Sequence, residues 1–238
     1  MHLKPQTLKM IRIFLLVLLV ASSVRVGIIY YHRHSSVTTS QYTGPVKLNP
    51  DYYVNPRKLH AYDIASAKDL EKQPVWVRDG YRYPYYPWDA RHKHADFSSS
   101  SGLLLPLEQL KVTDVVQDRI GGIGGQPVMA VFAKDGKPFA LQIGVTQGSD
   151  TQIYSDEVLY VQDPVQLYHH WPPEVWQAIR QHEVKPGMNE LQSTFAVGFG
   201  IPQGSSAGSS RIVNYPNGGK PLTVSYQDGK AAEIKAGS

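Results

Sequence analysis

The fold is decided by residues 172–198, which read PPEVWQAIRQHEVKPGMNELQSTFAVG. Pro173 stands in the first turn of a predicted helix, where proline is tolerated because the first backbone amides have no partner inside the helix. Apolar side chains follow at the three- and four-residue spacing of one helix face, namely Val175, Trp176 and Ile179. Pro186 and Gly187 then end the pattern. The first half of this stretch therefore predicts an amphipathic helix.

A second helix follows directly and carries its own start signal. Asn189 has the N-cap position and Gln192 stands three residues later, which is the spacing of a capping box. The apolar residues on one side of this helix are Met188, Leu191 and Phe195. Gly198 stands where a C-cap in the left-handed α region is expected. We therefore predict two short helices in tandem.

Three strand patterns follow the helices, after a Gly/Ser-rich stretch at 204–210 that is typical of a loop. The strands are expected at 211–215, 222–226 and 231–234. Two turn sequences separate them, Pro216-Asn217-Gly218-Gly219 and Asp228-Gly229. The pattern predicts a three-stranded antiparallel meander.

Over residues 173–235 this part of the chain resembles the BamE/OmlA-like domain of outer-membrane assembly lipoproteins. The resemblance is carried by Gly187-Met188, Gln192, Gly198, Ile201-Pro202 and Asp228-Gly229-Lys230. It implies a fold of two helices and a meander, and a non-enzymatic role in binding other envelope proteins. The chain departs from the family in three ways: it lacks the lipobox cysteine, it has residues 35–172 before the domain, and its 198–202 stretch is longer. These departures favour membership in the fold over membership in the assembly machinery.

Residues 102–165 carry the densest strand signals of the chain. Strand patterns start at 110–112 and recur at 127–132 and 139–143, with the hairpin turn Lys134-Asp135-Gly136-Lys137 between the last two. Another turn at 155–157 leads into an apolar run at 158–161. Asp156 and Glu157 in that turn are expected to be solvated carboxylates. The close spacing of short strands predicts a small β-rich domain of SH3-like size.

The segment 35–101 reads as a Ser/Thr-rich tether over 35–41 and then a Tyr- and Pro-rich region. A possible hairpin lies at 75–83, with Asp79-Gly80 as its turn. Aromatic side chains cluster in and after this hairpin, at Tyr81, Tyr83, Tyr85, Tyr86 and Trp88. Aromatic rings stack on sugars, anchor protein partners or pack a strand onto the core, and all three roles stay open at this point.

Residues 1–34 form a leader with five basic residues and no acidic residue. Its apolar segment at 13–31 would be about 28 Å long as a helix, which just spans a bilayer. The segment is either an uncleaved signal anchor or a signal peptide cleaved after the small residues Ala21-Ser22-Ser23. Both interpretations keep the basic end in the cytoplasm of a bacterium. We therefore expect a single-pass inner-membrane protein with a periplasmic C-terminal part, or a periplasmic protein if the leader is cleaved.

The basic character of the chain belongs to the leader. The formal net charge is +4, but residues 35–238 hold 19 Lys and Arg against 20 Asp and Glu. Binding of nucleic acid usually depends on an excess of positive charge, which residues 35–238 do not have, so no nucleic-acid partner is expected. The chain has no cysteine, which excludes a disulfide framework and a thiolate zinc site.

Paired histidines are the candidate metal ligands, at His92 with His94 and at His169 with His170. Imidazole binds copper, nickel or zinc, but a site needs further ligands, for which acidic residues lie nearby in the sequence. The alternative is a set of polar loop histidines. The glycine-rich stretch at 121–125 has no third glycine at the spacing that nucleotide-binding loops require, and it lacks their lysine. No His-Glu-x-x-His motif occurs, so we predict no cofactor and no catalytic residue.

These observations predict an α+β protein in four parts: the leader at 1–34, the tether and aromatic segment at 35–101, the β-rich domain at 102–165 and the BamE-like domain at 166–238. Its expected function is non-catalytic binding to other envelope proteins, as a scaffold or assembly accessory factor. The alternatives are a glycan- or small-ligand-binding module built on the aromatic segment, and an enzyme with an unrecognised site. An exposed apolar patch on the meander would favour the first role, and a concave aromatic groove would favour the second.

Overall fold

A computed structural model describes residues 16, 18–31, 48–120, 124–207 and 210–237 of the chain. The described part of the leader is helix α1 over 18–31. Among the described residues, no helix combines the length and the apolar character needed to cross a bilayer. The predicted span at 13–31 falls partly outside the described residues, and the predicted tether at 35–41 falls wholly outside them.

Asn49–Ser238 forms a compact unit of mixed helices and antiparallel sheets, so the predicted α+β class is confirmed. Its strands are β1 (Val75–Val77), β2 (Pro84–Asp89), β3 (His94–Ala95), β4 (Gly102–Leu103), β5 (Gln109–Leu110), β6 (Val112–Gln117), β7 (Gln126–Lys134), β8 (Lys137–Gln147), β9 (Asp150–Ile153), β10 (Leu159–Tyr160), β11 (Ile201–Ala207), β12 (Ser210–Tyr215), β13 (Leu222–Gln227) and β14 (Lys230–Ala236). Its α-helices are α2 (Ile64–Ala67), α3 (Ser155–Val158), α4 (Pro164–Leu167), α5 (Pro173–Arg180) and α6 (Glu190–Val197). The predicted boundaries at 101/102 and 165/166 stay predictions.

The largest sheet has the strand order β3-β2-β8-β7-β6, with β4 paired to β2 and β9 paired to β8. Its long β7–β8 hairpin turns at Asp135 and Gly136, whose φ angles are 50° and 73°. Positive φ at both central residues is the geometry of a type I′ turn, so the turn predicted there is confirmed. The sheet buries one apolar cluster, which includes Val115, Phe132, Leu141 and Ile143.

The predicted hairpin at 75–83 does not form. Strand β1 pairs with β5 and β10 in a small three-stranded sheet, while the amide of Tyr81 donates to the carbonyl of Leu104 at 2.6 Å. Both edges of β1 are occupied, by β5 and by β10, which leaves no edge for residues 81–83 to pair with. At Gly80 the chain passes close to the 105–106 segment, where a Cβ would lie 1.8 Å from the nitrogen of Pro106. A strand-turn-strand pattern reveals the strands but not their partners.

The two predicted helices are present as α5 and α6, and the capping box of Asn189 and Gln192 is formed in both directions. Gly198 caps α6 with a φ of 83° but a ψ of −171°, so it lies outside the left-handed α region that we predicted for it.

The C-terminal sheet has four strands in the order β11-β12-β13-β14, one more than predicted. The additional strand β11 includes part of the Gly/Ser-rich stretch at 204–210 that reads as a loop. An edge strand needs backbone pairing on one side only, which β12 provides, so weak side-chain signals do not prevent it. The meander is formed by β12, β13 and β14.

The helices and the inner face of the C-terminal sheet share an aromatic core. It contains Trp171, Trp176, Met188, Phe195 and Tyr215, each with at most 6% of its surface exposed. Trp176, Met188 and Phe195 are among the apolar positions that the sequence assigns to the predicted helix faces. Their burial agrees with the amphipathic pattern that predicted the helices.

Candidate binding groove

A groove of about 490 Å³ opens where the aromatic segment meets the large sheet. Its aromatic walls are Tyr83, Tyr86 and Tyr154, which are all half-buried. Its polar groups are Asp79, Arg82, Gln142 and Glu157. Apolar side chains complete the lining, among them Leu141 and Val158. The groove thus combines ring faces with charged and amide groups in one concavity.

The position of the groove follows from a proline in β2. Strand β2 pairs with β8 at Tyr85 to Leu141 and at the two following pairs. Continuing the same register brings Pro84 opposite Gln142, but proline has no amide hydrogen to donate. The β2–β8 ladder therefore ends at Tyr85, and the groove opens at this point between the two strands.

A β-bulge in β8 shapes the opposite wall. The β7–β8 register pairs Val128 with Gly144 and Met129 with Gln142, which leaves Ile143 as the extra residue. A bulge bends the strand and redirects the neighbouring side chains, and such bulges are frequent beside binding sites. The carbonyl of Ile143 accepts the amide of Tyr154 at 2.9 Å, which places the third tyrosine on the groove.

The one-turn helix α3 places Glu157 at the rim of the groove, and hydrogen bonds from other segments anchor this helix. The Asp156 carboxylate accepts the backbone amides of Leu59 and His60 at 2.7 and 2.8 Å. The guanidinium of Arg78 donates to the carbonyl of Asp156 at 2.6 Å. Asp156 is therefore a structural acceptor rather than the solvated carboxylate that the sequence suggests. The anchored helix leaves the side chain of Glu157 exposed on the groove.

The Tyr83 ring is oriented by its own hydroxyl, which donates to the carbonyl of Glu157 at 3.1 Å. Burial raises the pKa of Tyr83 above its ordinary value, and nearby Asp79 raises it further. Burial likewise raises the pKa of Tyr154, against a smaller effect of its hydrogen bond with Gln142. Both phenols therefore stay neutral at physiological pH and keep an O–H to donate.

The charged groups of the groove are an Arg82–Asp79 pair and the Glu157 carboxylate. Arg82 lies 3.4 Å from the Asp79 carboxylate, and its guanidinium stacks 4.3 Å from the ring centre of Phe199. Within the described part of the chain, the Glu157 carboxylate has no ion pair and accepts no side-chain hydrogen bond. Two carboxylates and one guanidinium give the groove a formal charge of −1. Its charge pattern suits neutral or cationic ligands better than anionic ones.

A second depression of about 620 Å³ shares Gln142 with the groove. It is lined by His94, Asp96 and Phe97, among others. The rings of Tyr86, from the groove, and Phe97, from the depression, lie with their centres 4.8 Å apart. These two rings form an aromatic ridge between the two concavities.

The imidazole of His94 is fixed in place by the fully buried Asp118. The Asp118 carboxylate accepts His94 Nδ1 at 2.8 Å, the Ala95 amide at 2.7 Å and the Ile120 amide at 2.8 Å. Because a carboxylate only accepts, Nδ1 carries the proton and Nε2 is the nitrogen left for another group.

The five predicted aromatic contact residues divide into two groups. Tyr83 and Tyr86 line the groove. Tyr85 packs edge-on against Phe139 at 5.0 Å and against the large-sheet core, and Trp88 is 8% exposed in a small core of its own. Tyr81 packs against His182 and against the backbone at Gly218.

Sequence reasoning missed Tyr154 as a groove residue. It lies between β9 and α3, in a stretch that reads as an ordinary turn. Only the pairing of β8 with β9 brings it beside the aromatic segment, and no local signal in the sequence announces that pairing.

The candidate metal-binding histidines have separate partners. His92 pairs with Asp89 at 2.6 Å, which with backbone hydrogen bonds lowers the pKa of that carboxyl to about 2. His169 contacts the carbonyl of Gln166 at 3.1 Å. Within the described residues, no group of three or more His, Cys, Asp or Glu side chains could hold a metal ion.

His170 belongs to a hydrogen-bonded cluster around the partly buried Asp51. That carboxylate accepts His170 Nε2 at 2.6 Å, Trp171 Nε1 at 2.7 Å and Asn189 Nδ2 at 2.8 Å. Burial raises the pKa of Asp51, but these hydrogen bonds outweigh it and hold the pKa below its ordinary value. The cluster ties the start of the compact unit to the capping residue of α6.

Residues 204–208 carry the letters of a Gly-x-Ser-x-Gly motif. A nucleophile elbow of that sequence stands on a sharp turn between a strand and a helix. Here β11 continues through Ala207 as an edge strand paired to β12. Up to Ala207 this stretch therefore lies on an edge strand rather than on a strand-to-helix turn.

Comparison of the chain with models of known protein families, with curated proteins and with solved structures finds no match.

Proposed function

We propose that this chain is a non-catalytic binding protein of the bacterial cell envelope, and that the groove receives its ligand. The observation that carries this proposal is the convergence in one concavity of Tyr83, Tyr86 and Tyr154 with the Glu157 carboxylate, which has no ion pair among the described residues. Ligand sites commonly combine apolar or aromatic walls with a few oriented polar groups. The groove is built on a sheet and an anchored helix, so its side chains are pre-positioned for binding.

The leader supplies the proposed location. Residues 13–31 hold the protein in the inner membrane, and the compact unit faces the periplasm. If the leader is cleaved, the same unit is released as a periplasmic protein. The positive charge of residues 1–34 supports this orientation.

The partners that fit an envelope scaffold or assembly accessory factor are other envelope proteins. Helices α5 and α6 with the meander support the proposed BamE-like relationship, and the large sheet supports an SH3-like β-rich domain. Strand β11 is the edge of the C-terminal sheet, and an edge strand can accept a strand from a partner.

A glycan or another small ligand is the second candidate, and the groove is the observation that favours it. The outward face of the meander is largely polar, with Thr223, Ser225 and Glu233 beside the exposed Ile212. That face is not a continuous apolar patch, whereas the groove is concave and aromatic.

A crosslinking experiment on the tagged full-length chain tests the proposal. Crosslinked membranes are solubilised, and captured molecules are identified for wild type, Tyr86→Ala and Tyr62→Ala. Tyr62 is 76% exposed and does not line the groove, so its replacement is the matched control. We expect Tyr86→Ala to lose specific capture and Tyr62→Ala to retain it. Equal capture by all three chains contradicts the groove as the site.

Fractionation tests the location separately. The full-length chain should be found in the membrane or periplasmic fraction, and its C-terminal tag should be digested by protease added to spheroplasts or be released with the periplasm. A chain that is recovered intact in the cytoplasmic fraction contradicts the proposed location.

A further inference from the structure

We infer that the groove and the adjacent depression bind an uncharged oligosaccharide of at least two sugar units. This inference rests on the proposed function, because it assigns a ligand class to the same groove. It follows from the arrangement of aromatic faces, from the type of polar groups and from the continuity of the two concavities.

The aromatic faces come from three separate parts of the chain. Tyr83 precedes β2, Tyr86 lies within β2 and Tyr154 follows β9. The Tyr83 hydroxyl is occupied by the carbonyl of Glu157, so its ring cannot rotate freely. Rigid aromatic faces of this kind provide large contact area at low entropic cost, and the C–H faces of sugar rings stack on them.

The polar groups are planar and present paired hydrogen-bonding atoms. Glu157, Asp79 and Gln142 each offer an acceptor oxygen, and Gln142 and Arg82 also donate. Adjacent hydroxyls of a sugar are both donors and acceptors, so they match such groups closely. A formal charge of −1 repels carboxylated or phosphorylated glycans, which leaves uncharged sugars as the matching class.

The length of the ligand follows from the aromatic ridge. Gln142 lines both concavities, and the rings of Tyr86 and Phe97 stand 4.8 Å apart between them. A single sugar occupies one side of this ridge, whereas a longer chain crosses it and contacts both rings. In the depression, His94 offers Nε2 for one further hydrogen bond because Asp118 occupies Nδ1.

A polypeptide fits the groove less well. An apolar peptide would leave Glu157 desolvated without a partner, which is unfavourable. A lysine-rich peptide would satisfy the charge but leaves the three ring faces and the amide without matching groups. The lysine-rich peptide is therefore the competing ligand in the test.

The test measures binding of the full-length chain, in detergent micelles, to N-acetylglucosamine oligomers of one, two, four and six units by titration calorimetry. Cello-oligosaccharides of the same lengths, a sulfated oligosaccharide and a lysine-rich peptide are titrated in parallel. We expect affinity for one of the uncharged series to rise roughly tenfold or more from one to four units, and the sulfated chain to bind more weakly.

Two variants locate the sugar on either side of the ridge. Tyr86→Ala should weaken every oligomer roughly tenfold, because its ring lines the groove and the ridge. Phe97→Ala should leave the single sugar unchanged and remove the gain from longer chains. Tyr62→Ala is the control, and melting curves of each variant establish that it is folded. Where Tyr86→Ala does not fold, Tyr154→Ala takes its place.

The outcomes separate the two proposals. One outcome is that the lysine-rich peptide binds, that Glu157→Gln abolishes this binding, and that neither uncharged series binds. This outcome overturns the oligosaccharide inference but leaves the groove as a binding site. Oligosaccharide binding that is unchanged in Tyr86→Ala, Tyr154→Ala and Phe97→Ala overturns the groove itself. Absence of binding to either uncharged series, with crosslinked capture still dependent on Tyr86, overturns the inference alone.

Discussion

Two aromatic regions of this protein use the same residue types in opposite ways. In the groove, Tyr83, Tyr86 and Tyr154 keep part of their rings at the surface. In the helical region, Trp171 stacks on Tyr168 with ring centres 4.4 Å apart, and Phe195 packs edge-on against both. These three are each at most 5% exposed.

The difference shows that aromatic density alone does not define a binding site. The helical region packs its rings among apolar neighbours, because α5, α6 and the inner face of the C-terminal sheet converge there. In the groove each ring packs only partly against a core, Tyr83 and Tyr154 against the cluster that includes Ile143 and Tyr86 against the cluster that includes Trp88. What decides the role of each ring is the number of elements that surround it.

The largest effect is expected from truncation in the helical region. Phe195→Ala removes a 1%-exposed ring and leaves a cavity, which should lower the free energy of unfolding by about 4 kcal/mol. Tyr86→Ala should lower it by about 1 kcal/mol, because that ring is only half-buried. Chemical denaturation of both variants measures the contrast. Equal losses would mean that the groove ring is also a core residue.

Replacement of Asp51 tests how strongly the start of the compact unit is joined to the helical region. Asp51→Ala leaves Trp171 and Asn189, which are partly shielded from water, without their shared acceptor, and this should lower the free energy of unfolding by about 2 kcal/mol. Because the hydrogen bonds hold the pKa of Asp51 below its ordinary value of 3.8, its stabilising effect is full above that pH. The effect is lost as the pH falls below 3.8 through the folded-state pKa.

Denaturation of wild type and Asp51→Ala between pH 7 and pH 2 measures this dependence. The difference between the two chains should be largest at neutral pH and should shrink in acid. A difference that is constant across the range would contradict the assignment of a charged Asp51 in the fold.

Removal of one tyrosine hydroxyl in each region should also lower the free energy of unfolding more in the core than in the groove, although both effects are smaller. The Tyr215 and Tyr226 hydroxyls lie 2.7 Å apart in the core, so Tyr215→Phe should lower the free energy of unfolding by about 1 kcal/mol. Tyr154→Phe in the groove should change it by less than about 0.5 kcal/mol, because water reaches the groove. A larger loss for Tyr154→Phe would reverse the comparison.

The raised pKa of Tyr215 predicts that the folded protein loses stability at alkaline pH. Burial raises the pKa of Tyr215 above its ordinary value of 10.0, so the fold favours its neutral form. The unfolded chain ionises first, and stability should therefore fall as the pH rises above about 10. Tyr215→Phe should show a shallower alkaline decline than wild type in the same denaturation measurement. An identical decline in the two chains would mean that other groups cause it.

Much of the helical region was predictable because its signals are local. The Asn189 and Gln192 capping box acts within one helical turn, and the Asp135-Gly136 turn is set by two residues with positive φ. The predicted core positions Trp176 and Phe195 follow from helix periodicity alone. In each case the residues that decide the structure lie within a few positions of one another.

The groove was only partly predictable, because it depends on contacts between distant residues. The aromatic cluster drew attention to Tyr83 and Tyr86, but Tyr154 reaches them through the β8–β9 pairing. Asp156 reads as a surface carboxylate, yet it binds amides 96 and 97 positions earlier in the chain. The partners of β1 were mispredicted for the same reason, since β5 and β10 both lie far along the sequence.

The sequence by itself determined the α+β class, the two helices with the capping box of α6, the tight turns at Asp135-Gly136 and Asp228-Gly229, and the apolar residues of the helical core. Periodicity, capping and positive-φ glycines act over short distances, so their consequences can be derived from neighbouring residues. Only the tertiary structure decided which aromatic rings are buried and which line the groove. That outcome depends on strand pairing, on a bulge at Ile143 and on the interrupted ladder at Pro84, all of which require the packing of distant segments.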